Sequence, residues 1–261
     1  VAFATTYPGT PSSEISLNLF QMSQETDLYF EYSTNEKVAL EVAAAAANSG
    51  LRTFCMMKHV GLNVAADPLM TLAYVGVTGG MVILSADDPA MFSSQNEQDN
   101  RYYAKFGNLP MMEPSSVAEA KEMIKDAFEL SESLKQPVLM RTTTRINHSN
   151  AFVTFGEIKP RDTRGRFERD PHRCVTVPAV SRGLHVKVLE KMKNAAQLSD
   201  DSSYNFVQGE GSLGIIANGV SFYYAADAVK DLGLTGRAKI LRPGFSNPLP
   251  EKMIDDFLAG S

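Results

Sequence analysis

Tryptophan is absent from the chain and cysteine nearly so, with Cys55 and Cys174 far apart and outside any C-x-x-C arrangement. Two separated thiols exclude a disulfide framework and cannot ligate a four-cysteine iron–sulfur cluster. The four histidines, His59, His148, His172 and His185, include no H-x-x-H pair, so no metal site is expected within this chain. There is no run of 18 apolar residues and no signal peptide, so neither a membrane span nor export is expected. Positive charge is not in excess: 25 Lys and Arg face 30 Asp and Glu, a net charge of −5, which removes the electrostatic case for nucleic acid or an anionic membrane. No P-loop occurs, the G-x-S-x-G elbow is missing, and Gly209-Glu210-Gly211 precedes a strand where a dinucleotide loop would follow one. Glycine-cradled phosphates and hydrolytic triads are disfavoured, and the composition suits a reducing cytoplasm.

What remains is an α/β pattern. Apolar strand-like runs at residues 1–6, 28–32, 52–57, 81–84, 109–113 and 137–142 alternate with helical periodicity. That alternation predicts a doubly wound, mostly parallel sheet. At the first junction Thr10 suits an N-cap and Pro11 the first helical position, while Gly9 lets the backbone approach something closely. Asp67-Pro68 reads as the start of another helix, and Ser115 or Ser116 as the cap of a third. The polar stretch from Ser93 to Tyr103 reads either as a solvated loop or as a loop covering a ligand or subunit contact.

Residues 158–208 break the rhythm. They carry Arg161, Arg164, Arg166, Arg169 and Arg173 among Asp162, Glu168 and Asp170, a mixed-charge surface with one amphipathic helix near 184–198. We read three parts: residues 1–155 as a first α/β domain, 156–209 as an inter-domain connection, and 210–261 as the start of a second α/β domain. The chain opens on a strand without an initiator Met and ends in a helix that leads nowhere. It is therefore expected to be a piece of a longer polypeptide.

Glu36 has two readings. Ser33-x-x-Glu36 matches a capping box, in which the two side chains satisfy each other's free N–H groups. Glu36 also opens a small-residue helix beside the carboxyl end of a strand, where open α/β sheets bind ligands, and burial there can turn a carboxyl into a proton-sharing group. The residues alone leave both open. The small residues Ala43 to Ala47 suit close packing against a sheet or another subunit.

Tyr7-Pro8-Gly9-Thr10-Pro11-Ser12-Ser13-Glu14, followed by Ser33-Thr34-Asn35-Glu36-Lys37-Val38-Ala39, resembles the 2-oxoacid:ferredoxin oxidoreductases. The similarity continues through Met57-Lys58-His59-Val60-Gly61-Leu62-Asn63, Ala86-Asp87-Asp88-Pro89, Ser93 to Asp99, Arg141 to Arg145 and Gly214 to Gly219, nearly the whole chain in order. The branch it resembles most is the alpha subunit acting on aryl 2-oxoacids such as indolepyruvate. The resemblance implies a thiamine diphosphate enzyme that oxidatively decarboxylates 2-oxoacids to acyl-CoA and passes electrons to ferredoxin. Its first domain would bind the cofactor's pyrimidine and its second would be transketolase-C-like. Glu36 would be the catalytic carboxyl against the pyrimidine ring nitrogen, with Pro8 and Asn63 beside the cofactor. Gly9, Thr10, Lys58 and His59 would lie on the substrate side, where Gly9 replaces a bulkier Ile of the pyruvate type and leaves room for an aryl group. Mg²⁺ and iron–sulfur clusters are expected in parts of the enzyme outside this chain, so the chain alone is expected to be inactive. A beta-type subunit, ferredoxin, CoA and an oligomeric assembly are the implied partners. The alternatives are a pyruvate or other 2-oxoacid enzyme, or a non-catalytic interaction subunit that completes a partner's site.

Overall fold

The computed structural model describes residues 1–157 and 164–260, so Arg161 and Asp162 lie outside the described residues. The first half runs β1 (Phe3–Thr6), α1 (Ser13–Ser23), β2 (Tyr29–Tyr32), α2 (Glu36–Asn48), β3 (Thr53–Lys58), α3 (His59–Val64), α4 (Ala66–Val75), β4 (Met81–Asp87), α5 (Arg101–Gly107), β5 (Met111–Met112), α6 (Val117–Leu134), β6 (Val138–Thr143) and α7 (Thr144–Asn147). The second half runs α8 (Pro171–Cys174), α9 (Pro178–Asp200), β7 (Phe206–Gly209), β8 (Leu213–Ile216), α10 (Ser221–Asp231), β9 (Ala238–Arg242), β10 (Phe245–Asn247) and α11 (Glu251–Ala259).

Seven strands form one sheet in the order β10-β5-β6-β4-β3-β1-β2, and β7-β9-β8 form a smaller one. All pairings among β1 to β6 are parallel, and β10 adds an antiparallel edge. The doubly wound, mostly parallel sheet is as the sequence predicts. Alternation along the strands explains why both faces carry helices: Cys55, Met57 and Ile83 pack with Leu40, Ala43 and Leu69 on one side. Phe54, Met56 and Leu84 pack with Met123, Ala127 and Phe128 on the other. Burying each Leu, Phe or Met contributes about 1.5–3 kcal/mol.

Several local expectations change. The helix α1 starts at Ser13 with Ser12 as its cap residue, so Thr10 and Pro11 belong to the preceding turn. Likewise α4 begins at Ala66, with Asp67 and Pro68 already inside it. Ala43 and Ala47 are fully buried against their own sheet, so these two residues of the alanine run serve internal packing. The helix expected near 184–198 extends over Pro178–Asp200. Residues 206–209, read as connection, are a strand of the small sheet, and β10 leaves the C-terminal part to join the large one. Among the described residues no helix is long and apolar enough to cross a membrane.

A buried polar network ties the two sheets together. Arg141 donates from Nε to Asp87 Oδ2 at 2.7 Å and from a terminal nitrogen to Glu113. The other Glu113 oxygen accepts from the Ser246 hydroxyl at 2.7 Å and from Asn218 at 3.3 Å. Fully buried Arg242 donates to the Glu113 carbonyl at 3.0 Å, to the Tyr204 carbonyl at 2.7 Å and to Glu119. Burial pushes the Asp87 carboxyl up, opposed by the adjacent Arg141 guanidinium. Replacing Arg141 by Met leaves two carboxyl groups buried without their cation, so Arg141→Met is expected to cost about 3–5 kcal/mol. Urea unfolding should show the midpoint falling at unchanged m; a midpoint within error of the parent would refute the role.

Candidate active site

In the large sheet β1 is followed by β2 on one side, and the chain then returns to place β3 on the other. The direction of winding reverses between β1 and β3, and in such sheets the ligand crevice opens at the carboxyl ends of the strands flanking the reversal. Those ends are the turn after Thr6, which carries Tyr7, Pro8, Gly9 and Thr10, and the junction of β3 with α3, which carries Lys58, His59 and Gly61. Thr5 and Thr6 lock this part of the sheet, donating to the carbonyls of Ala39 and Met56, both at 2.8 Å.

Glu36 enters the same corner from the head of α2. The capping box does not form. Asn35 is the cap residue, its side chain accepting from the Val38 amide at 2.9 Å, while the Ser33 hydroxyl donates to Glu31 at 2.7 Å. Glu36 is thereby released from any capping role and is 8 % exposed. Among the described residues no side-chain hydrogen bond engages its carboxyl. The carboxyl rests on Gly61: a Cβ at that glycine would stand 2.6 Å from Glu36 Oε1 and 2.7 Å from its Cγ. Nearby Cys55 is fully buried, and burial together with the Glu36 charge pushes its thiol up to about 12, against a hydrogen bond from Thr5, so it is an inert apolar group.

The other candidates fall into two groups. Pro8 and Thr10 are exposed on the turn, and Gly9 is half-buried, its missing Cβ replaced by the stem of Lys58 at 2.9 Å. The Lys58 ammonium donates to the Ser93 carbonyl at 3.2 Å. His59 is fully buried, its Nε2 meeting the Asn96 carbonyl at 3.0 Å, and its Nδ1 is an orphaned buried atom. Asn63 pairs with the Gln98 amide at 2.9 Å and accepts from Tyr103 at 2.6 Å. So Glu36 on Gly61, and Gly9 on Lys58, sit at the strand ends that flank the reversal, whereas His59 and Asn63 anchor the neighbouring polar loop. Among the described residues no cluster of three or more His, Cys, Asp or Glu is placed to hold a metal ion.

Two contributors escaped the sequence reading. Gly61 lies inside the six-residue helix α3, where glycine costs about 1 kcal/mol relative to alanine, but no signal in the sequence pointed to it, because the helix itself is too short to read. Asp88, 2 % exposed, organises the loop by accepting from Ser94 Oγ at 2.7 Å, Ser93 N at 2.8 Å, Thr144 Oγ1 at 2.9 Å and Phe92 N at 3.2 Å. Burial alone would raise this carboxyl, but those four donors together hold it below the usual aspartate range. They also sustain Ala90 and Met91 at φ 66° and 55°, a left-handed pair of non-glycine residues, costing about 1–2 kcal/mol each.

This geometry belongs to a thiamine-binding α/β domain. The chain is a member of the pyruvate flavodoxin/ferredoxin oxidoreductase family, whose thiamine diphosphate-binding domain matches residues 1–193. Over its whole length it is 51 % identical to the indolepyruvate oxidoreductase subunit IorA of Methanothermobacter thermautotrophicus and 47 % identical to that of Thermococcus kodakarensis. It spans 42 % and 41 % of the length of those relatives. In fold it is similar to a 2-oxoglutarate:ferredoxin oxidoreductase from Magnetococcus marinus, with a TM-score of 0.76 at 16 % identity, covering 100 % of this chain and 53 % of that one. A split gene transketolase gives a TM-score of 0.62 at 16 % identity, covering 100 % of this chain and 71 % of that one.

The residues fit thiamine diphosphate, because Glu36 is a largely buried residue whose carboxyl makes no side-chain hydrogen bond among the described residues, and Gly61 leaves it room. Two outcomes are expected. Gly61→Ala should displace the Glu36 carboxyl and weaken thiamine diphosphate binding at least tenfold, read by titration of the full-length protein; unchanged affinity would contradict the role of Gly61. The Asp88 carboxyl has a folded-state value below its unfolded one, so its contribution is present above about pH 3.9 and lost as pH falls through the folded value. Amide exchange at Phe92 and Ser93, corrected for intrinsic rates, should lose protection on that acid limb. Asp88→Asn should lose it already at pH 6, and equal protection in that variant would exclude the carboxylate as the anchor.

Proposed function

We propose that this chain is the pyrimidine-binding and substrate-facing part of a thiamine diphosphate-dependent 2-oxoacid:ferredoxin oxidoreductase acting on aryl 2-oxoacids of the indolepyruvate kind. Residues 1–155 would form the pyrimidine-binding domain, 156–209 the connection and 210–261 the opening of a transketolase-C-like domain. The observation that carries the reading is the carboxyl of Glu36, buried at the head of α2 with no polar partner among the described residues and seated on Gly61.

When bound, thiamine diphosphate supplies the carbon nucleophile needed to decarboxylate a 2-oxoacid. Glu36 would hold a proton against the ring nitrogen of the aminopyrimidine. General acid–base assistance of this type is worth roughly 10²- to 10⁴-fold, about 3–5 kcal/mol. Gly61 keeps the carboxyl in place, and Pro8 would border the cofactor, while Asn63, engaged by Gln98 and Tyr103, would act through the bordering loop. On the substrate side Lys58 offers a point charge with three donors, suited to a carboxylate without the fixed fork of an arginine. Gly9 and Thr10 sit on the turn after β1, with Gly9 against the Lys58 stem, and His59 anchors the bordering loop through the Asn96 carbonyl.

The polar cleft of about 580 Å³ beside Arg101, Asn218 and Ser246 includes none of Gly9, Glu36, Lys58 and Gly61. The chain spans 42 % of the length of a relative, which suits completion of the site by another surface, from the remainder of the polypeptide, a beta-type subunit or a second copy. Acyl transfer to CoA, electron transfer to ferredoxin, Mg²⁺ and the iron–sulfur clusters belong to that remainder of a cytoplasmic assembly. The test is Glu36→Gln in the full-length enzyme. Oxidation of indolepyruvate is expected to fall at least a hundredfold while the circular dichroism spectrum is unchanged. Near-normal turnover would remove Glu36 from the mechanism.

A further inference from the structure

We propose that Gly9 is a positioning residue that acts through Lys58, setting where the ammonium reaches in the crevice rather than leaving a hollow for the substrate's side chain. The inference rests on the reading of this crevice as a 2-oxoacid site. A Cβ at position 9 would stand 2.9 Å from both Cγ and Cδ of Lys58 and 3.3 Å from its Cβ. The room that a glycine provides here is therefore already filled, by the stem of Lys58.

Three further observations restrict how that contact could relax. Gly9 is not among the residues with positive φ, and the three atoms nearest to a Cβ placed there all belong to Lys58. The turn cannot swing away easily, because the Ser12 amide and hydroxyl both donate to the Gly9 carbonyl, at 2.8 and 2.7 Å. The far end of Lys58 is held as well: Nζ donates to the Ser93 carbonyl at 3.2 Å, and the same residue's amide is fixed by Asp88 at 2.8 Å. A side chain clamped at its stem by β1's turn and at its tip by the loop presents its charge in one place. One carbonyl uses one of the three ammonium donors, which leaves the others for the carboxylate of a 2-oxoacid. A methyl group at position 9 lifts the stem off the turn and moves the charge, so the substrate's carboxylate is the group that loses its contact.

The experiment is a double-mutant cycle in the full-length enzyme with indolepyruvate as the probe, using Gly9→Ala, Lys58→Ala and the double variant. Gly9→Ala and Lys58→Ala are each expected to raise KM at least tenfold with kcat changed less than fivefold, the signature of a lost binding contact. In the Lys58→Ala background, Gly9→Ala should change KM less than twofold, because the stem it displaces is gone. Thiamine diphosphate affinity, measured by titration, should stay within twofold in all three, which a general collapse of the turn would not allow. Should the Gly9→Ala effect persist undiminished without Lys58, or should Lys58→Ala leave KM unchanged, the inference is overturned while the function stands. A parent enzyme that oxidises no 2-oxoacid overturns both.

Discussion

A single missing side chain sets the terms of the crevice. The carboxyl of Glu36 occupies the space in which any residue other than glycine at position 61 would put its first carbon. Glu36 as a whole is 8 % exposed, and the capping duties at the head of α2 are taken by Asn35. The surrounding elements can be understood as the means of holding that arrangement rigid. Thr5 pins α2 to β1 through the Ala39 carbonyl, Thr6 pins β1 to β3, and α3 leaves β3 without any intervening loop. Each link is short and buried, so Glu36 and Gly61 approach each other from two elements that have little freedom to separate.

The bordering loop follows a different logic. Its backbone is strained at Ala90 and Met91, and its order comes from side chains of the scaffold below: Asp88 beneath its first half, His59 and Asn100 beneath its second. His59 thus joins the loop to the end of β3, and Lys58 does so from the next position. Consecutive residues of β3's end serve the crevice and its rim, which couples the loop's position to the cation facing the crevice.

Much of this was legible in the sequence, for identifiable reasons. Strands β3, β4 and β6 are buried on both faces, so they contain short apolar runs whose length, and the turn residues around them, mark them as strands. Positions 9, 10 and 36 were visible because they sit where a strand pattern stops and a helix pattern begins, whereas Pro8, Lys58, His59 and Asn63 came from the family resemblance. The capping assignment failed because Ser33-x-x-Glu36 and Asn35 offer competing caps, and three-dimensional packing decides between them: Ser33 turns back to Glu31. The short helix α3 and the strand β10 were illegible. The first has fewer residues than two helical turns and a glycine inside it. The second is a three-residue segment whose irregular pairing with β5 spans more than 130 positions, a contact that no local pattern encodes. Gly9 was noticed, but spacing alone could not tell whether its room was empty or filled.

The placement of β10 bears on how the two sheets act as one body. A strand contributed by the C-terminal part to the large sheet brings Ser246 beside Glu113, and β8 leads into Asn218 on the same carboxyl group. That carboxyl also receives Arg141, whose other bond is to Asp87 at the end of β4, one residue before the aspartate that organises the loop. Continuity therefore runs from the small sheet through Glu113, Arg141 and Asp87 to the rim of the crevice, over buried groups whose bonds are mutually dependent. Breaking such a network at one member exposes the others to an uncompensated low dielectric, which is why coupled buried polar groups respond as a unit. The C-terminal segment is accordingly part of the frame that fixes the crevice, and anything that repositions the small sheet must act on the loop through this chain of charges.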